Sequence, residues 1–252
     1  MPIRLDQALL ARGLVASRAR ARDLIVRGLV TVSGRPAAKA GEMVGDDVEL
    51  RIAPDAGAGA VSRAGLKLEA GLAAFGFDPS GCLALDVGAS TGGFTEVLLA
   101  RGARRVYAVD VGRGQLHATL AADPRVVSLE ATDVRRLDAS LVPEPVNAVV
   151  ADLSFISLTL ALPAALGLAV PGAWLVALVK PQFEAGRAAV GKGGIVRDEA
   201  ARTAAVTKVR DWLASLPGWR VLGVVPSPIT GGSGNIEYLL AAVRSPSGEW
   251  RP

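Results

Sequence analysis

A chain of 252 residues, half of them hydrophobic and 21% charged, has room for one sizeable α/β domain and a small appendage, with ample apolar material for a core. One cysteine, Cys82, and one histidine, His117, argue against a disulfide framework, a metal site and a serine–histidine hydrolase, and fit a cytosolic protein. The net charge of +4 is uneven: residues 1–40 carry eight basic residues against two acidic ones, which points to a polyanion partner.

No secretory signal opens the chain, because residues 1–20 carry arginines and no apolar run. "IRLDQALLARG" has apolar residues at helical spacing and ends on Gly13, suited to a C-cap. Ser17 can cap a second helix, "RARARDLIVRG", closed by Gly28. "LVTVSGRPA" predicts two short strands around Ser33-Gly34, and "GDDVELRI" one more. The arginines on or beside the second helix suit either a solvated face or a polyanion-binding one. Over residues 3–50, "RLDQALLARGLVASRARARDLIVRGLVTVSG" and the later "GDDVEL" resemble the small RNA-binding domain first known from a small-subunit ribosomal protein. The resemblance implies docking on structured RNA through phosphate and shape, with Arg4, Arg18, Arg20, Arg22 and Arg27 as the expected contacts.

"APDAGAGAV", residues 53–61, has linker composition, so the expected division is a small α+β domain over 1–52 and a second domain over 62–246. Lys67 lies at the start of a helix, "RAGLKLEAGL". Beyond it "CLALDV", "RRVYAVDV", "RVVSLEA", "VNAVVADL" and "AWLVALVK" alternate with helical patterns, which predicts a mostly parallel α/β sheet covered on both faces. Ile156–Val179 is uncharged and long enough to cross a bilayer, but Pro163, Pro171 and Gly172 interrupt it. A core helix, a turn and a buried strand are the expected use, with no membrane span. A helix near Glu199–Leu216 follows, then "RVLGVV" and "NIEYLLAAV", an expected antiparallel pair at the sheet edge.

Four strands finish on charge, at Asp86, Asp110, Asp152 and Lys180, where open α/β sheets bind ligands. After the first runs "DVGASTGGF". Its spacing fits a phosphate loop except that Phe94 replaces the lysine, and Ser90 replaces the middle glycine of the dinucleotide fingerprint. A loop of small residues without phosphate-binding groups suits S-adenosylmethionine. Gly88, Gly92 and Gly93 would let the backbone pass close to its methionine part, Ala89, Ser90 and Phe94 complete the cofactor-binding loop, and Asp86 either orients the loop or meets the ammonium. Asp110 would grip both ribose hydroxyls, and Asp133 would either accept from the adenine amino group or simply cap a loop.

Lys67, Asp152, Lys180 and Glu237 remain. Two lysines and two carboxylates in one cleft can compensate one another, and a ribose hydroxyl, a weak acid and poor nucleophile, needs such a set before it can accept a methyl group. A desolvated Lys180 would take its proton or steady the alkoxide, while two structural salt bridges are the plain alternative. "SRAGLKL", "LDVGASTGGFTEVLLARGA", "VDVGRGQL", "DPRV", "ADLSFISL", "LVKPQFE", "GKGGIVRD" and "GNIEYL" resemble the FtsJ-like ribose methyltransferases and, over nearly the whole chain, the TlyA family, known both as hemolysins and as ribosomal RNA methyltransferases.

That resemblance implies a Rossmann-like methyltransferase sheet and places the family's K-D-K-E catalytic tetrad on Lys67, Asp152, Lys180 and Glu237. It also implies S-adenosylmethionine as cofactor and a cytidine ribose of ribosomal RNA, free or in a subunit, as substrate. The chain ends soon after its last strand, which tilts the expectation towards the large subunit. A membrane-lytic protein or a non-catalytic assembly factor are the alternatives. His117 in a helix and Cys82 as a small buried group are expected to be bland, and Phe155 either joins the core or borders the target nucleotide. "FEAGRAAVGKGGIVRD", glycine-rich and basic, is expected to be a mobile flap that meets RNA.

Overall fold

The structure, a computed structural model, describes residues 2–15, 18–26, 28–52, 62, 64–231 and 234–245. The linker expected at 53–61, Ser17 and Arg27 lie outside them.

The N-terminal unit runs β1 (Ile3–Arg4), α1 (Leu5–Ala11), α2 (Arg18–Val26), β2 (Val30–Val32), β3 (Arg35–Pro36), β4 (Met43–Val44) and β5 (Leu50–Ile52). Leu5, Ala8 and Leu9 of α1 meet Leu24 and Ile25 of α2 over Val30 and Val32, so the two helical periodicities close one small core. Ser33 and Gly34 both have positive φ, as a tight hairpin turn between β2 and β3 requires. The sequence reading takes Ile3 and Arg4 into the first helix. Instead they pair antiparallel with Met43 and Val44, a two-residue ladder too short to leave a periodic signal.

The second unit runs α3 (Ala64–Phe75), β6 (Leu83–Val87), α4 (Gly93–Ala100), β7 (Arg105–Val109), α5 (Ala118–Ala121), β8 (Val126–Leu129), β9 (Val146–Ala151), α6 (Leu158–Gly167), β10 (Ala169–Val179), α7 (Pro181–Glu184), α8 (Glu199–Ala214), β11 (Trp219–Pro226) and β12 (Tyr238–Arg244). Seven strands form one sheet in the order β11-β12-β10-β9-β6-β7-β8. The ladders from β10 to β8 are parallel, whereas β12 is antiparallel to both its neighbours. Both faces are buried. Leu85, Val149, Leu175 and Leu240 pack towards α6 and α8 (Leu162, Val209, Leu213), and Ala84, Val150, Val176 and Leu239 towards α3 and α4 (Leu68, Leu72, Leu98).

Two local expectations are corrected. Pro163 does not interrupt the uncharged span but sits inside α6, which Ser157 caps through the amide of Thr159. Pro171 and Gly172 are not a turn ahead of the strand. They lie within β10, where the ladder to β9 shifts register between Ala169 and Trp174 around a proline without N–H and a glycine at φ +85°. Among the described residues no helix is long and apolar enough to cross a membrane.

Candidate active site

The chain runs from β6 outward through β7 to β8, then crosses back to β9 on the other side of β6. That reversal opens a crevice at the carboxyl ends of β6 and β9, where α/β sheets hold ligands. The glycine loop leaves β6 there and Asp152 leaves β9. Gly88, at φ +86°, brings its backbone so near that a Cβ would stand 2.7 Å from the Asp152 carbonyl oxygen, so no other residue fits without moving it.

A cavity of about 930 Å³ is lined by Lys67, Asp152, Lys180, Ser154 and the glycine loop, with Arg22 and Lys39 of the N-terminal unit on its rim. A second, of about 460 Å³, shares Gly88, Ser90, Asp152 and Ser154 and continues over Asp110, Gln115, Asp133, Leu153 and Ile156.

Glu237 reaches the same end of the sheet because β12 is antiparallel. Val179 and Tyr238 are register partners, so Lys180, leaving β10, and Glu237, entering β12, stand side by side in chain path. Lys67 Nζ donates to Glu237 Oε2 at 2.6 Å, with both residues buried. Glu237 is hemmed in: a Cβ on Gly231 would collide with its carboxylate. Lys180 Nζ donates to Ser154 Oγ at 2.9 Å and lies 2.6 Å from Asp152 Oδ1. Asp152 Oδ1 is itself buried, and the Lys180 ammonium stands against it as an ion-pair partner. The structure therefore places Lys67, Asp152 and Lys180 on one cavity and Glu237 directly behind Lys67.

The predicted cofactor residues separate into two groups. Ala89, Gly93 and Phe94 line the larger cavity, Asp110 and Asp133 the smaller, and Gly88 and Ser90 both. Gly92 caps α4 at φ +96°, where a side chain would strike Leu120. Asp110 accepts from the Ser90 amide (2.9 Å), the Gly112 amide (2.7 Å) and Gln115 Nε2 (3.3 Å). Asp133 caps a short 3₁₀ turn and holds the Arg135 guanidinium, whose hydrogen bonds keep its carboxyl at about 2.

Asp86 lines neither cavity. Fully buried beneath the loop, it accepts from Thr95 Oγ1 at 2.6 Å and so ties β6 to the first turn of α4. Burial pushes its carboxyl up to about 7; the Thr95 hydrogen bond opposes this, and Asp152 and Asp110 add to it. The folded protein thus binds this proton more tightly than the unfolded chain. The associated stability is complete below about pH 4 and is lost as pH rises towards 7. Asp86→Asn, neutral throughout, is expected to melt above the wild type at pH 8, by an amount that shrinks by about 2 kcal/mol at pH 5. Thermal melts at the two pH values check this, and a gap independent of pH would contradict it.

In the N-terminal unit Arg4, Arg18 and Arg22 converge on one fully buried carboxylate, Asp6, at 3.0, 3.1 and 3.0 Å. Burial raises the Asp6 carboxyl, and the three guanidinium hydrogen bonds overcome this and hold it at about 2. The arginines remain roughly half exposed, so each keeps donors for an outside anion. The side chain of Arg20 lies outside the described residues, as does Arg27.

Phe155 is no core residue: it is 90% exposed, at φ +68°, with its ring 5.1 Å from that of Phe183. His117 caps α5 rather than lying within a helix, its Nδ1 accepting from the Thr119 amide. Cys82 is half-buried rather than enclosed, and burial raises its thiol. The glycine-rich segment after α7 is pinned where Val196 N donates to Asn235 Oδ1 and Asn235 Nδ2 to the Gly194 carbonyl. Ser154, Gln115, Glu130 and Asn235 escaped the sequence reading. Glu130 alone had a usable signal, being one more charge just past a strand.

A family model described as FtsJ-like methyltransferase matches residues 60–244, and one described as S4 domain matches residues 3–50. A Mycobacterium tuberculosis protein named 16S/23S rRNA (cytidine-2'-O)-methyltransferase TlyA is 48% identical over 94% of this chain and 88% of its own length. A Campylobacter jejuni protein named 23S rRNA (cytidine-2'-O)-methyltransferase TlyA is 35% identical over 73% of this chain and 71% of its own. A solved Streptococcus thermophilus structure that carries a hemolysin name superposes with a TM-score of 0.73 at 40% identity, covering 98% of this chain and 90% of that one.

Proposed function

The chain belongs to the FtsJ-like methyltransferase family, and from that premise we propose that it methylates the 2′-hydroxyl of a cytidine ribose in ribosomal RNA, with S-adenosylmethionine as methyl donor. One observation carries the reading. Lys67, Asp152 and Lys180 share a cavity, Glu237 braces Lys67 from behind, and a second cavity of nucleoside size opens beside them.

The residues of the smaller cavity fit the cofactor. Carboxylate acceptors outnumber cations, the loop lacks a lysine, and backbone reaches the cavity at Gly88. Gly88 and Ser90 would hold the methionine part, Asp110 the ribose hydroxyls, and Leu153 and Ile156 would flank the adenine. When bound, S-adenosylmethionine supplies an electrophilic methyl carbon on a sulfonium. Asp133 would be shared with Arg135, which leaves it a secondary contact.

Everything else falls to the chain's own groups. Lys180, held by Ser154 and Asp152 on the larger cavity, would meet the acceptor hydroxyl there and take its proton or steady the negative charge growing on its oxygen. Asp152, ion-paired with Lys180 at 2.6 Å, would fix the direction in which that ammonium meets the hydroxyl. Lys67, braced by Glu237, adds a second ammonium to the same cavity. Phe155 offers an open aromatic face on which an unpaired base can stack. Arg22 and Lys39 on the rim and the Asp6-centred arginines supply phosphate contacts.

The test is transfer of labelled methyl from S-adenosylmethionine to purified ribosomal RNA and to each ribosomal subunit. The expected product is an alkali-resistant dinucleotide beginning with cytidine, since a methylated 2′-oxygen cannot cleave the chain. Which subunit yields it identifies the target. Label on a base, or no label on any RNA, would refute the reading.

A further inference from the structure

Glu130 stands just beyond β8, and its carboxylate accepts three consecutive backbone amides: Gly114 at 2.8 Å, Gln115 at 2.7 Å and Leu116 at 3.1 Å. Burial raises this carboxyl, and the three amide hydrogen bonds more than offset it, so the group stays ionised. Three amides from three successive residues enclose an anion in the way a backbone nest does. The same loop is fastened elsewhere, by Ala131 N to the Gly112 carbonyl (2.8 Å) and by His117 N to the Thr91 carbonyl (3.1 Å). It is therefore stitched to the end of β8 on one side and to the glycine loop on the other.

The stitching places one side chain. Gln115 lines the smaller cavity, with Nε2 donating to Asp110 Oδ1 at 3.3 Å and Oε1 accepting from Ser90 Oγ at 3.3 Å. Its amide lies against Gly112 so closely that a Cβ there would collide with it. Asp110 Oδ1 is thus fixed by Gly112 N and Gln115, and Oδ2 by Ser90 N. A carboxylate held from both sides has one orientation left in which its remaining lone pairs can face a diol.

We propose that Gln115 and Glu130 are positioning residues for cofactor recognition: Glu130 folds the Gly112–Leu116 loop, and through it Gln115 orients the Asp110 carboxylate towards the ribose hydroxyls. The proposal rests on the reading of Asp110 as the ribose acceptor. It predicts that a second negative charge at position 115 is felt directly by Asp110. The other charged groups on that cavity are Asp133, paired with Arg135, and Asp152, 2.6 Å from Lys180.

The experiment is calorimetric titration of the full chain with S-adenosylhomocysteine at pH 8 and pH 6, each variant first checked for a cooperative melt. Asp110→Ala should weaken binding at least tenfold at both pH values. Gln115→Glu should weaken it about tenfold at pH 8 and recover most of that at pH 6, because a proton relieves the new carboxylate pair. Gln115→Ala should cost a few-fold at either pH, and Glu130→Gln likewise through the loop. If Glu130→Gln does not fold, the pH contrast of Gln115→Glu carries the test. Wild-type affinity in Gln115→Glu, or a loss independent of pH, with Asp110→Ala impaired would overturn this proposal and leave the ribose reading standing. Wild-type affinity in Asp110→Ala would overturn both.

Discussion

Lys180→Ala is expected to lower methyl transfer to ribosomal RNA by about 10³-fold while leaving affinity for S-adenosylhomocysteine within about twofold of wild type. The separation follows from geometry. Lys180 lines the larger cavity and does not line the smaller one, where Asp110 and Gln115 sit, so the cofactor loses no contact with it there. Its partners are an exposed hydroxyl, Ser154, and a part-exposed carboxylate, Asp152, so its loss should not collapse the fold. Lys180→Arg sharpens the assignment. Arginine keeps the positive charge but cannot give up its proton in a protein, so it can steady an alkoxide without serving as a base. Near-complete loss in Lys180→Arg would mark Lys180 as the proton acceptor, and partial activity would mark it as an electrostatic stabiliser. Single-turnover rates with saturating cofactor read both variants, and full activity in Lys180→Ala would remove the residue from the mechanism.

Lys180 was legible in the sequence for a reason that also explains what was not. Asp110, Asp152 and Lys180 each follow a continuous apolar run, and in a parallel sheet every such run delivers its last residue to the same edge. The sheet, its two buried faces and these three site residues are therefore consequences of local pattern. Asp86 obeys the same pattern, yet the strand continues to Val87, and one residue of pleat turns the carboxylate into the core beneath the loop. Glu237 needed more than pattern. It reaches the site only because β12 inserts antiparallel between β10 and β11, so that the start of a strand lies where the other strands end. Position along the chain does not encode that. The loop held by Glu130 is harder still, since its hydrogen bonds run to backbone amides, which have no residue signature. Pro171 and Gly172, read as a turn, are accommodated by a register shift that only the neighbouring strand determines.

The Lys67–Glu237 pair supports the other large expectation. Both residues are nearly enclosed, at 8% and 2% exposure, and their hydrogen bond is 2.6 Å long. Removing the acid strands an ammonium inside the fold, so Glu237→Ala should destabilise by about 3 kcal/mol, and the melting temperature should fall by about 6–12 °C. Methyl transfer should be lost at the same time, which by itself does not separate a catalytic role from a structural one. The double variant Lys67→Met, Glu237→Leu does. Apolar residues of similar length remove both buried charges, and such replacements are commonly neutral or stabilising, so the melting temperature should return to within a few degrees of wild type. Activity should not return, because the cavity then lacks the Lys67 ammonium. A parallel measurement of melting and single-turnover methylation distinguishes the two roles. Recovery of both in the double variant would reduce the pair to a structural salt bridge and leave Asp152 and Lys180 as the whole of the charged machinery.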